Sequence, residues 1–317
     1  MGEKVVDQYL CTPFWDSTDL EEKIFTKDYV LEFPFAPPGM PKHFSNTSRN
    51  IYTNWLKRTM KDWSRYNIIK YPTTDPNKMW IESFTKATVQ WGERVDRAFD
   101  CENIEYIEIK DGKISLIRCW SDSLAYYNAA GMNLPVFNFS GPKILNEFQK
   151  PKSSQEVTPL EPQGKEEEEE TKEKLFNYFL KPDFEDPERD GPKYANYFSP
   201  NFNFRMPYLP VGMDRKYTDE YLAAMKPWMA DTVVKFTQNC EFERLQFEDD
   251  NIAIVESNGS YGIMKWDPRG NESGYWNDYV IFVRLESFGV AEYREYLDPV
   301  NKLICAGAQI TVFPFFY

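Results

Sequence analysis

The sequence predicts an α+β fold that is built twice within one chain. Two observations point to it: stretches of the first half recur in the second half of the 317 residues, and in each half helical sequence precedes several strands. The strands alternate apolar and polar residues, which is typical of antiparallel sheets with one buried face. Helices followed by a long antiparallel meander indicate a curved sheet with the helices packed in its hollow.

Three ungapped matches in the same order indicate a tandem duplication. The aligned pairs are 23–40 with 196–213, 79–83 with 253–257, and 112–139 with 288–315. Their offsets of 173, 174 and 176 positions are nearly constant. The first match contains an unusual Pro-Gly phrase, PFAPPGM at 34–40, which returns as PYLPVGM at 207–213.

The first predicted element of each repeat is a short strand that ends at the Pro-Gly phrase. Pro34 and Pro207 cannot donate to a strand ladder, and Gly39 and Gly212 permit the turn that follows. Residues 45–66 then begin with capping residues and place apolar side chains close to helical spacing. This pattern predicts an amphipathic helix.

The elements after the helix are predicted strands. In the first half they cover 78–91 and 103–120, and a hairpin turn at Asp111-Gly112 breaks the second of these runs. The corresponding strands of the second half are predicted at 251–266, which alternates around Asn258-Gly259, at 275–287 and at 290–297.

Between the repeats, residues 148–174 are polar, rich in Pro, Ser and Glu, and contain the run EEEEE. Such a segment buries too little apolar surface to offset the entropy of ordering, so it is predicted to be a flexible acidic linker. The predicted domains are therefore residues 1–147 and 175–317.

Composition excludes several classes of function. A formal charge of −13 argues against a nucleic-acid groove. No apolar run is long enough to cross a membrane and no signal peptide is visible, so we expect a cytoplasmic protein. His43, the single histidine, is interpreted as a loop residue, and no metal or cofactor motif is found. The five scattered cysteines are predicted to be buried free thiols: Cys11, Cys101, Cys119, Cys240 and Cys305.

The order of elements resembles the SnoaL-like, or ketosteroid-isomerase-like, members of the nuclear transport factor 2 superfamily. The resemblance covers about 25–147 and 194–315. Within that superfamily, residues 62–91 and 255–299 look most like the phenazine-biosynthesis A/B proteins. Those proteins have a similar acidic "TDDPN…WVE" strand and a closing "REF" strand, matched here by TTDPNKMWIES and by REY at 294–296.

This resemblance implies two fused cone-shaped α+β barrels, each enclosing a pocket for a small molecule, arranged as an intrachain pseudo-dimer. A further homodimer is left open. The superfamily contains both enzymes and non-catalytic binders, so the fold alone does not decide the function.

The resemblance also implies a proton-handling glutamate on the closing strand, at Glu295. A carboxyl group in a half-apolar cone suits that task because desolvation raises its pKa towards neutrality. Strand alternation places Tyr293 on the same face and Arg294 on the other. The competing interpretation is that Glu295 lies on the outer face and pairs with Arg294 or with a residue of a neighbouring strand. A second candidate is Glu256, which is repeated in the first half as Glu82.

In the first half, the position of Glu295 is taken by Cys119, a residue that cannot replace a carboxyl at neutral pH without strong activation. One interpretation is that the first repeat has lost catalysis and survives as a packing partner. The other is a divergent pocket that uses Glu82, Glu105 or Asp122.

Two functional hypotheses follow from these residues. The first is a cofactor-independent acid–base enzyme of secondary metabolism, acting by cyclisation, isomerisation, dehydration or condensation on a small cyclic or polyketide-like molecule. The second is a non-catalytic ligand-binding or scaffold protein. In either case, aromatic side chains are expected to line the second pocket: Tyr293, Tyr261, Trp266, Trp228 and Trp276.

Overall fold

The computed structural model describes residues 2–45, 47–92, 95–137, 162, 164–180, 197–213, 216–217, 231–238, 245–266 and 270–315. The chain divides into two compact units. The first unit comprises residues 1–135, 246–248 and 309–317, and the second comprises 136–245 and 249–308.

The first unit contains four described α-helices, a short 3-10 helix (Phe14–Asp16) and a six-stranded sheet. The helices are α1 (Gly2–Cys11), α2 (Thr18–Ile24), α3 (Thr47–Thr59) and α4 (Ser123–Ala129). The strands are β1 (Phe25–Glu32), β2 (His43–Phe44), β3 (Met60–Pro72), β4 (Lys78–Val89), β5 (Arg97–Lys110) and β6 (Lys113–Ser121). They are ordered β2-β1-β6-β5-β4-β3, with β1 parallel to β6 and the other pairs antiparallel.

The second unit repeats this order of strands. Its described helices are α5 (Lys165–Leu180) and α6 (Pro299–Cys305). Its strands are β7 (Phe198–Arg205), β8 (Lys216–Tyr217), β9 (Val233–Thr237), β10 (Ile252–Met264), β11 (Ser273–Glu286) and β12 (Gly289–Leu297). The order β8-β7-β12-β11-β10-β9 matches the first sheet strand for strand, with β7 parallel to β12. The predicted α+β class and tandem arrangement are confirmed.

The predicted strands and the first hairpin turn are present, with small changes at their ends. Asp111 and Gly112 both adopt positive φ angles, 53° and 75°, as a tight hairpin turn requires. Asn258-Gly259 is instead a bulge within β10, where the pairing with β11 shifts between Ser257 and Ser260.

The helix predicted over 45–66 is shorter than expected, and this prediction was wrong after Thr59. Residues 60–66 belong to β3, which pairs along β4 with register shifts after Lys61 and Tyr66. Asp62 has a φ of 51°, which a helix does not accommodate. The apolar spacing of this stretch fits a helix, but pairing with β4 overrides that local pattern.

The flexible linker predicted over 148–174 was wrong from residue 165 onwards. The run EEEEE opens α5, where Glu166, Glu167 and Glu168 in the first turn interact favourably with the helix dipole. Further along α5, Leu175, Phe176, Phe179 and Leu180 are buried. The apolar residues that order the helix therefore begin just beyond the predicted linker.

In each unit the Pro-Gly phrase packs against a Val-Phe dipeptide, which is 312–313 in the first unit and 136–137 in the second. Gly39 and Gly212 have φ angles of 101° and 103°, a region that favours glycine. A Cβ at Gly39 would lie 2.6 Å from the carbonyl oxygen of Phe313, and one at Gly212 would lie 2.8 Å from that of Phe137. Each phrase also accepts a backbone hydrogen bond, Pro38 from Phe313 and Val211 from Phe137. Both the turn and the close approach therefore require glycine.

Aromatic side chains dominate both cores. Trp91, Trp120 and Tyr127 in the first unit, and Phe282 and Tyr296 in the second, are among the largest fully buried side chains. Within the described residues, no helix has both the length and the hydropathy needed to cross a membrane.

The cysteines only partly fit the prediction of buried thiols. Cys101, Cys119 and Cys305 are free and buried, whereas Cys11 is free but exposed at the end of α1. Cys240 lies outside the described residues.

Candidate functional site

The two closing strands place Cys119 and Glu295 at equivalent positions. On β6, Cys119 is the cross-strand partner of Glu105 on β5. On β12, Glu295 is the partner of Ile281 on β11. Directly paired residues point to the same face of a sheet. Each unit therefore carries one carboxylate at this pair of positions, but on neighbouring strands.

The carboxyl group of Glu295 has an unusual environment in the second unit. Burial raises its pKa from 4.5 to about 7, although the charge of Lys302 opposes the shift. No group among the described residues donates a hydrogen bond to it. Arg294, the partner in the competing interpretation, points to the opposite face of β12, where its Nε lies 3.3 Å from a carboxylate oxygen of Glu292. Glu295 is therefore an unpaired carboxyl group, within the described part of the chain, whose protonated and ionised forms both exist near neutral pH.

Lys302 on α6 supplies the opposing charge. It is only 7% exposed, and burial lowers its pKa to about 8, although Glu295 acts in the other direction. Its Nζ lies 5.2 Å from the ring of Trp266 and 6.0 Å from that of Phe137. These aromatic faces stabilise the cation where water is largely excluded.

A chain of hydroxyl and amide groups lies on the Glu295 face of β11. The hydroxyl oxygens of Tyr275 and Tyr279 are 2.6 Å apart, and Asn277 donates to Tyr275 at 3.1 Å. Asn277 is held in turn by the backbone of Asp298, which caps α6. Burial raises the pKa of both tyrosines, and the Glu295 charge adds to the effect. Both are therefore neutral donors at physiological pH.

Two of the predicted aromatic residues belong to this site. Trp266 packs edge-on against Tyr275, with ring centroids 4.7 Å apart. Tyr293 shares the Glu295 face of β12 and contacts Phe179 and Phe204, at 4.9 and 5.1 Å between centroids.

Three other predicted residues lie on the opposite face of the sheet. Glu256 is paired with Val280, whereas its neighbour Val255 is paired with Ile281 on the Glu295 face. Tyr261 and Trp276 are paired with each other and are 49% and 53% exposed. Strand alternation turns all three away from Glu295, so the expectation that they join this site was wrong. Trp228 lies outside the described residues.

The first unit contains a carboxylate that is fully paired. Arg65 on β3 makes a two-pronged ion pair with Glu105, and its second nitrogen contact to the carboxylate is 3.1 Å. The hydroxyl group of Tyr9 on α1 donates to Glu105 at 2.8 Å and accepts from Arg65 at 2.7 Å. Glu105 is 1% exposed. Burial alone lowers the pKa of Arg65, but the Glu105 charge outweighs it and raises the pKa.

Glu82 and Asp122, the two further acids considered for the first repeat, do not reach this position. Glu82 accepts a hydrogen bond of 2.6 Å from Tyr71, and on β4 it is adjacent to Ser83, whose hydroxyl group contacts Arg65 on the other face. Asp122 caps α4 by accepting from the backbone of Leu124. Glu105 is therefore the candidate that faces the interior.

Cys119 is held among neutral groups beside Glu105. Its sulfur lies 3.2 Å from the hydroxyl oxygen of Ser121, which donates to Asn103 at 2.8 Å. Asn103 in turn donates to Thr85 at 3.0 Å. Burial and the Glu105 charge raise the pKa of Cys119, so it remains a thiol and not a nucleophilic thiolate.

Sequence patterns missed three residues that decide the charge of each site. Arg65 fell within the helix predicted over 45–66, so it could not be placed on a strand facing Glu105. Tyr9 lies on α1, a helix that the sequence patterns did not predict. Lys302 follows Asp298-Pro299, a helix-start signal that would have placed it on a short helix after β12. Within the described residues, no group of three or more His, Cys, Asp or Glu side chains is arranged to hold a metal ion.

Known proteins with a related sequence correspond in length to one repeat. The family model described as phenazine biosynthesis protein A/B matches residues 36–142. Phenazine biosynthesis protein PhzB of Pseudomonas fluorescens is 24% identical over 137 residues, which are 43% of this chain and 84% of the relative. PhzA of the same organism is 26% identical over 137 residues, or 43% of this chain and 83% of the relative.

Two solved structures are also similar to part of the chain. A phenazine biosynthesis-related protein, PhzB2 of Pseudomonas aeruginosa, is 20% identical with a TM-score of 0.39, covering 44% of this chain and 91% of its own. A protein with a ketosteroid isomerase-like fold from Catenulispora acidiphila, in complex with trimethylamine, is 8% identical with a TM-score of 0.33, covering 42% and 96%. Residues 36–142 of this chain are therefore similar in sequence to the phenazine biosynthesis A/B family, and the second sheet repeats the strand order of the first.

Proposed function

We propose that the second repeat is a cofactor-independent acid–base enzyme that isomerises or cyclises a small cyclic or polyketide-like molecule. The observation that carries this proposal is the carboxyl group of Glu295, which is unpaired among the described residues and has a pKa of about 7. A group with this pKa both removes and returns protons efficiently at physiological pH.

The chemistry requires no oxidant or reductant. Glu295 as carboxylate removes a proton from the carbon next to a substrate carbonyl, and the electron pair of the C–H bond moves to the carbonyl oxygen. The resulting enolate is reprotonated at another carbon by the carboxylic acid of Glu295, which completes an isomerisation. In a cyclisation, the enolate carbon attacks a second carbonyl group of the same molecule, whose oxygen then takes the proton.

Neighbouring side chains supply the hydrogen-bond donors, the positive charge and the apolar surface that such a reaction requires. The neutral hydroxyl groups of Tyr275 and Tyr279 lie on the Glu295 face and are donors suited to a developing oxyanion. Lys302 supplies positive charge from α6, which favours an anionic intermediate in a site of low polarity. The rings of Trp266 and Tyr293 provide apolar surface for a flat substrate.

The sequence relatives support the proposed metabolic setting. Both curated relatives are phenazine biosynthesis proteins, and a role in secondary metabolism is consistent with them. The specific reaction and substrate proposed here rest on the geometry around Glu295 and not on those names.

The proposal is tested with a panel of cyclic enones and 1,3-diketones incubated in D2O near neutral pH. Deuterium incorporation is followed by NMR, and free acetate at equal concentration gives the background rate. We expect exchange above background for at least one class, and a loss of about 10²-fold or more in the Glu295→Gln variant.

The matched control is Glu292→Gln, which removes a carboxylate from the opposite face of the same strand, where it pairs with Arg284 and Arg294. This variant should keep the rate within about threefold, since charges on the far face contribute little to the barrier. Equal rates for wild type and Glu295→Gln, or no exchange above acetate across the panel, would contradict the proposal.

A further inference from the structure

Lys302 on α6 is a buried amine that lacks a structural partner in the described part of the second unit. The side chain is 7% exposed. Among the described residues, no carboxylate forms an ion pair with it and no oxygen accepts a hydrogen bond from its Nζ atom. Burial of an amine without such a partner lowers stability. Buried lysines of this kind are candidates for nucleophilic chemistry, because desolvation makes the unprotonated amine accessible.

In the first repeat, the corresponding position is filled by an aromatic ring. The third ungapped match aligns Lys302 with Tyr126. The ring centroid of Tyr126 lies 5.4 Å from that of Trp91 and 5.9 Å from that of Phe313. A phenol ring therefore achieves the packing at this place, and the amine of the second repeat is not needed for it.

The second repeat places the amine near rings of the same two types. Nζ of Lys302 lies 5.2 Å from the ring of Trp266 and 6.0 Å from that of Phe137. The indole N–H of Trp266 is buried and has no hydrogen-bond acceptor among the described residues. Buried donors are normally paired, so a free N–H on this ring suits the oxygen atom of a molecule bound beside the amine.

Glu295 and Lys302 influence each other without direct contact. Burial lowers the pKa of Lys302 to about 8 and raises that of Glu295 to about 7, and the charge of each group opposes the shift of the other. They form no ion pair in the described part of the chain. Near neutral pH, part of the amine is therefore unprotonated and part of the carboxyl group is protonated. These are the forms that react with a carbonyl carbon and with its oxygen.

From this arrangement we infer that Lys302 forms an imine with a ketone or an aldehyde, and that Glu295 transfers the protons of this reaction. The inference deepens the proposed function and rests on it for the carbonyl group of the substrate. A protonated imine withdraws electrons more strongly than a ketone, so the adjacent C–H bond is easier for Glu295 to deprotonate.

The proton transfers balance without a further reactant. Glu295 as carboxylate takes a proton from the ammonium group of Lys302. The lone pair of the amine forms the C–N bond, and the π electrons of the carbonyl group move to its oxygen, which takes the proton from Glu295. Glu295 then removes a second proton from the nitrogen. The nitrogen lone pair forms the C=N bond as the hydroxyl group leaves with that proton as water, and Glu295 is again a carboxylate.

Reductive trapping of the full chain tests the inference. The protein is incubated near pH 7 with cyclohexanone and sodium cyanoborohydride, which reduces a protonated imine to a stable secondary amine. Peptide mapping by mass spectrometry gives the labelling rate of each lysine. Lys57, which is exposed on α3, is the internal reference. We expect Lys302 to be labelled at least tenfold faster than Lys57, although it is buried. A rate equal to or below that of Lys57 would overturn the inference.

Lys302→Arg separates an imine from a simple positive charge. Arginine keeps the charge but does not form this imine, so deuterium exchange of the ketone that exchanges fastest in wild type should fall at least tenfold. Equal exchange in wild type and Lys302→Arg would show that the lysine acts only by its charge, and would overturn the inference. Thermal unfolding monitors whether the variant is folded. If it is not, the labelling rates in wild type decide.

The two measurements also distinguish this inference from the proposed function. Fast labelling of Lys302 without deuterium exchange would support the imine and contradict the proposed acid–base function. Deuterium exchange that depends on Glu295, without fast labelling of Lys302, would support the proposed function and overturn the imine.

Discussion

The two repeats share one strand order but differ in how they treat a buried carboxylate. In the first repeat Glu105 lies on β5 and is paired with Arg65, while Cys119 occupies the facing position on β6. In the second repeat Ile281 and Glu295 occupy the corresponding positions, so the acid lies on the other strand.

This difference separates a carboxylate held in an ion pair from the one proposed to transfer protons. A two-pronged arginine contact and the Tyr9 hydroxyl group provide Glu105 with an opposite charge and with hydrogen bonds to both of its oxygens. Glu295 has no such contact among the described residues, and burial raises its pKa to about 7. After a duplication, the exchange of a few side chains across two strands therefore changes the chemistry of a pocket without changing its framework.

The largest effect on stability is expected when Glu105 loses its ion pair with Arg65 and, like Glu295, has no arginine partner. Arg65→Met leaves Glu105 buried and without its cation, which should lower the free energy of unfolding by about 3–5 kcal/mol. The measurement is urea denaturation of the full chain. The double variant Arg65→Met/Glu105→Leu should recover most of the loss, because no charge is then left buried.

A matched control for this prediction is Arg118→Met, which breaks a 2.5 Å contact to Glu32 in the same unit. Both of those side chains are partly exposed, at 31% and 24%, so the loss should stay near about 1 kcal/mol or less. A loss in Arg65→Met no greater than in Arg118→Met would contradict the assignment of Glu105 as a structural carboxylate.

A smaller effect is expected in the pH dependence of stability, through Glu295. Its pKa in the folded state, about 7, lies above the ordinary value of 4.5, so the folded protein binds more protons than the unfolded chain between these values. Stability from this group is therefore present at low pH and is lost as the pH rises from 4.5 to about 7. Relative to wild type, the free energy of unfolding of Glu295→Gln should increase by on the order of 2 kcal/mol between about pH 5 and pH 7.5.

The measurement is urea denaturation of both proteins at several pH values. Over this range Lys302, with a pKa of about 8, stays mostly protonated in the folded and unfolded states and contributes little to the difference. A constant difference between wild type and Glu295→Gln across the range would show that Glu295 does not titrate near neutrality.

The smallest expected effect concerns Lys302, whose charge lowers the pKa of Glu295. Lys302→Met removes this charge, so the ionisation of Glu295 should move upward by up to about one pH unit. The shift is measured by carbon-13 NMR of labelled glutamate carboxyl groups, with Glu295→Gln used to assign the signal. A downward shift would show that the lysine does not act on Glu295 as an opposite charge.

Sequence patterns predicted most of the strands and turns because each repeat could be compared with the other. The matches at 173, 174 and 176 positions aligned Gly39 with Gly212, and the structure gives both glycines nearly the same positive φ. The predictions failed where one repeat offered no comparison, as in α5, whose charged first turn precedes a buried apolar face.

The site was predicted in part. The family resemblance implied an inner position for Glu295, and alternation along β12 placed Tyr293 on the same face. Alternation extended across β10 and β11 would have placed Glu256 and Trp276 on the other face. That extension needs the register of neighbouring strands, which the bulge at Asn258-Gly259 alters. Such a register is set by pairing between distant segments and is not visible in local sequence.

The sequence by itself determined the duplication and the α+β class. It also determined that the second repeat has Glu295 at the position where the first repeat has Cys119. Only the tertiary structure decided which carboxylate is neutralised, because Arg65, Tyr9 and Glu105 lie 40 to 96 residues apart and meet only in the folded unit. A pKa depends on burial and on the charges within a few ångströms. The chemical difference between the repeats is therefore a property of their packing.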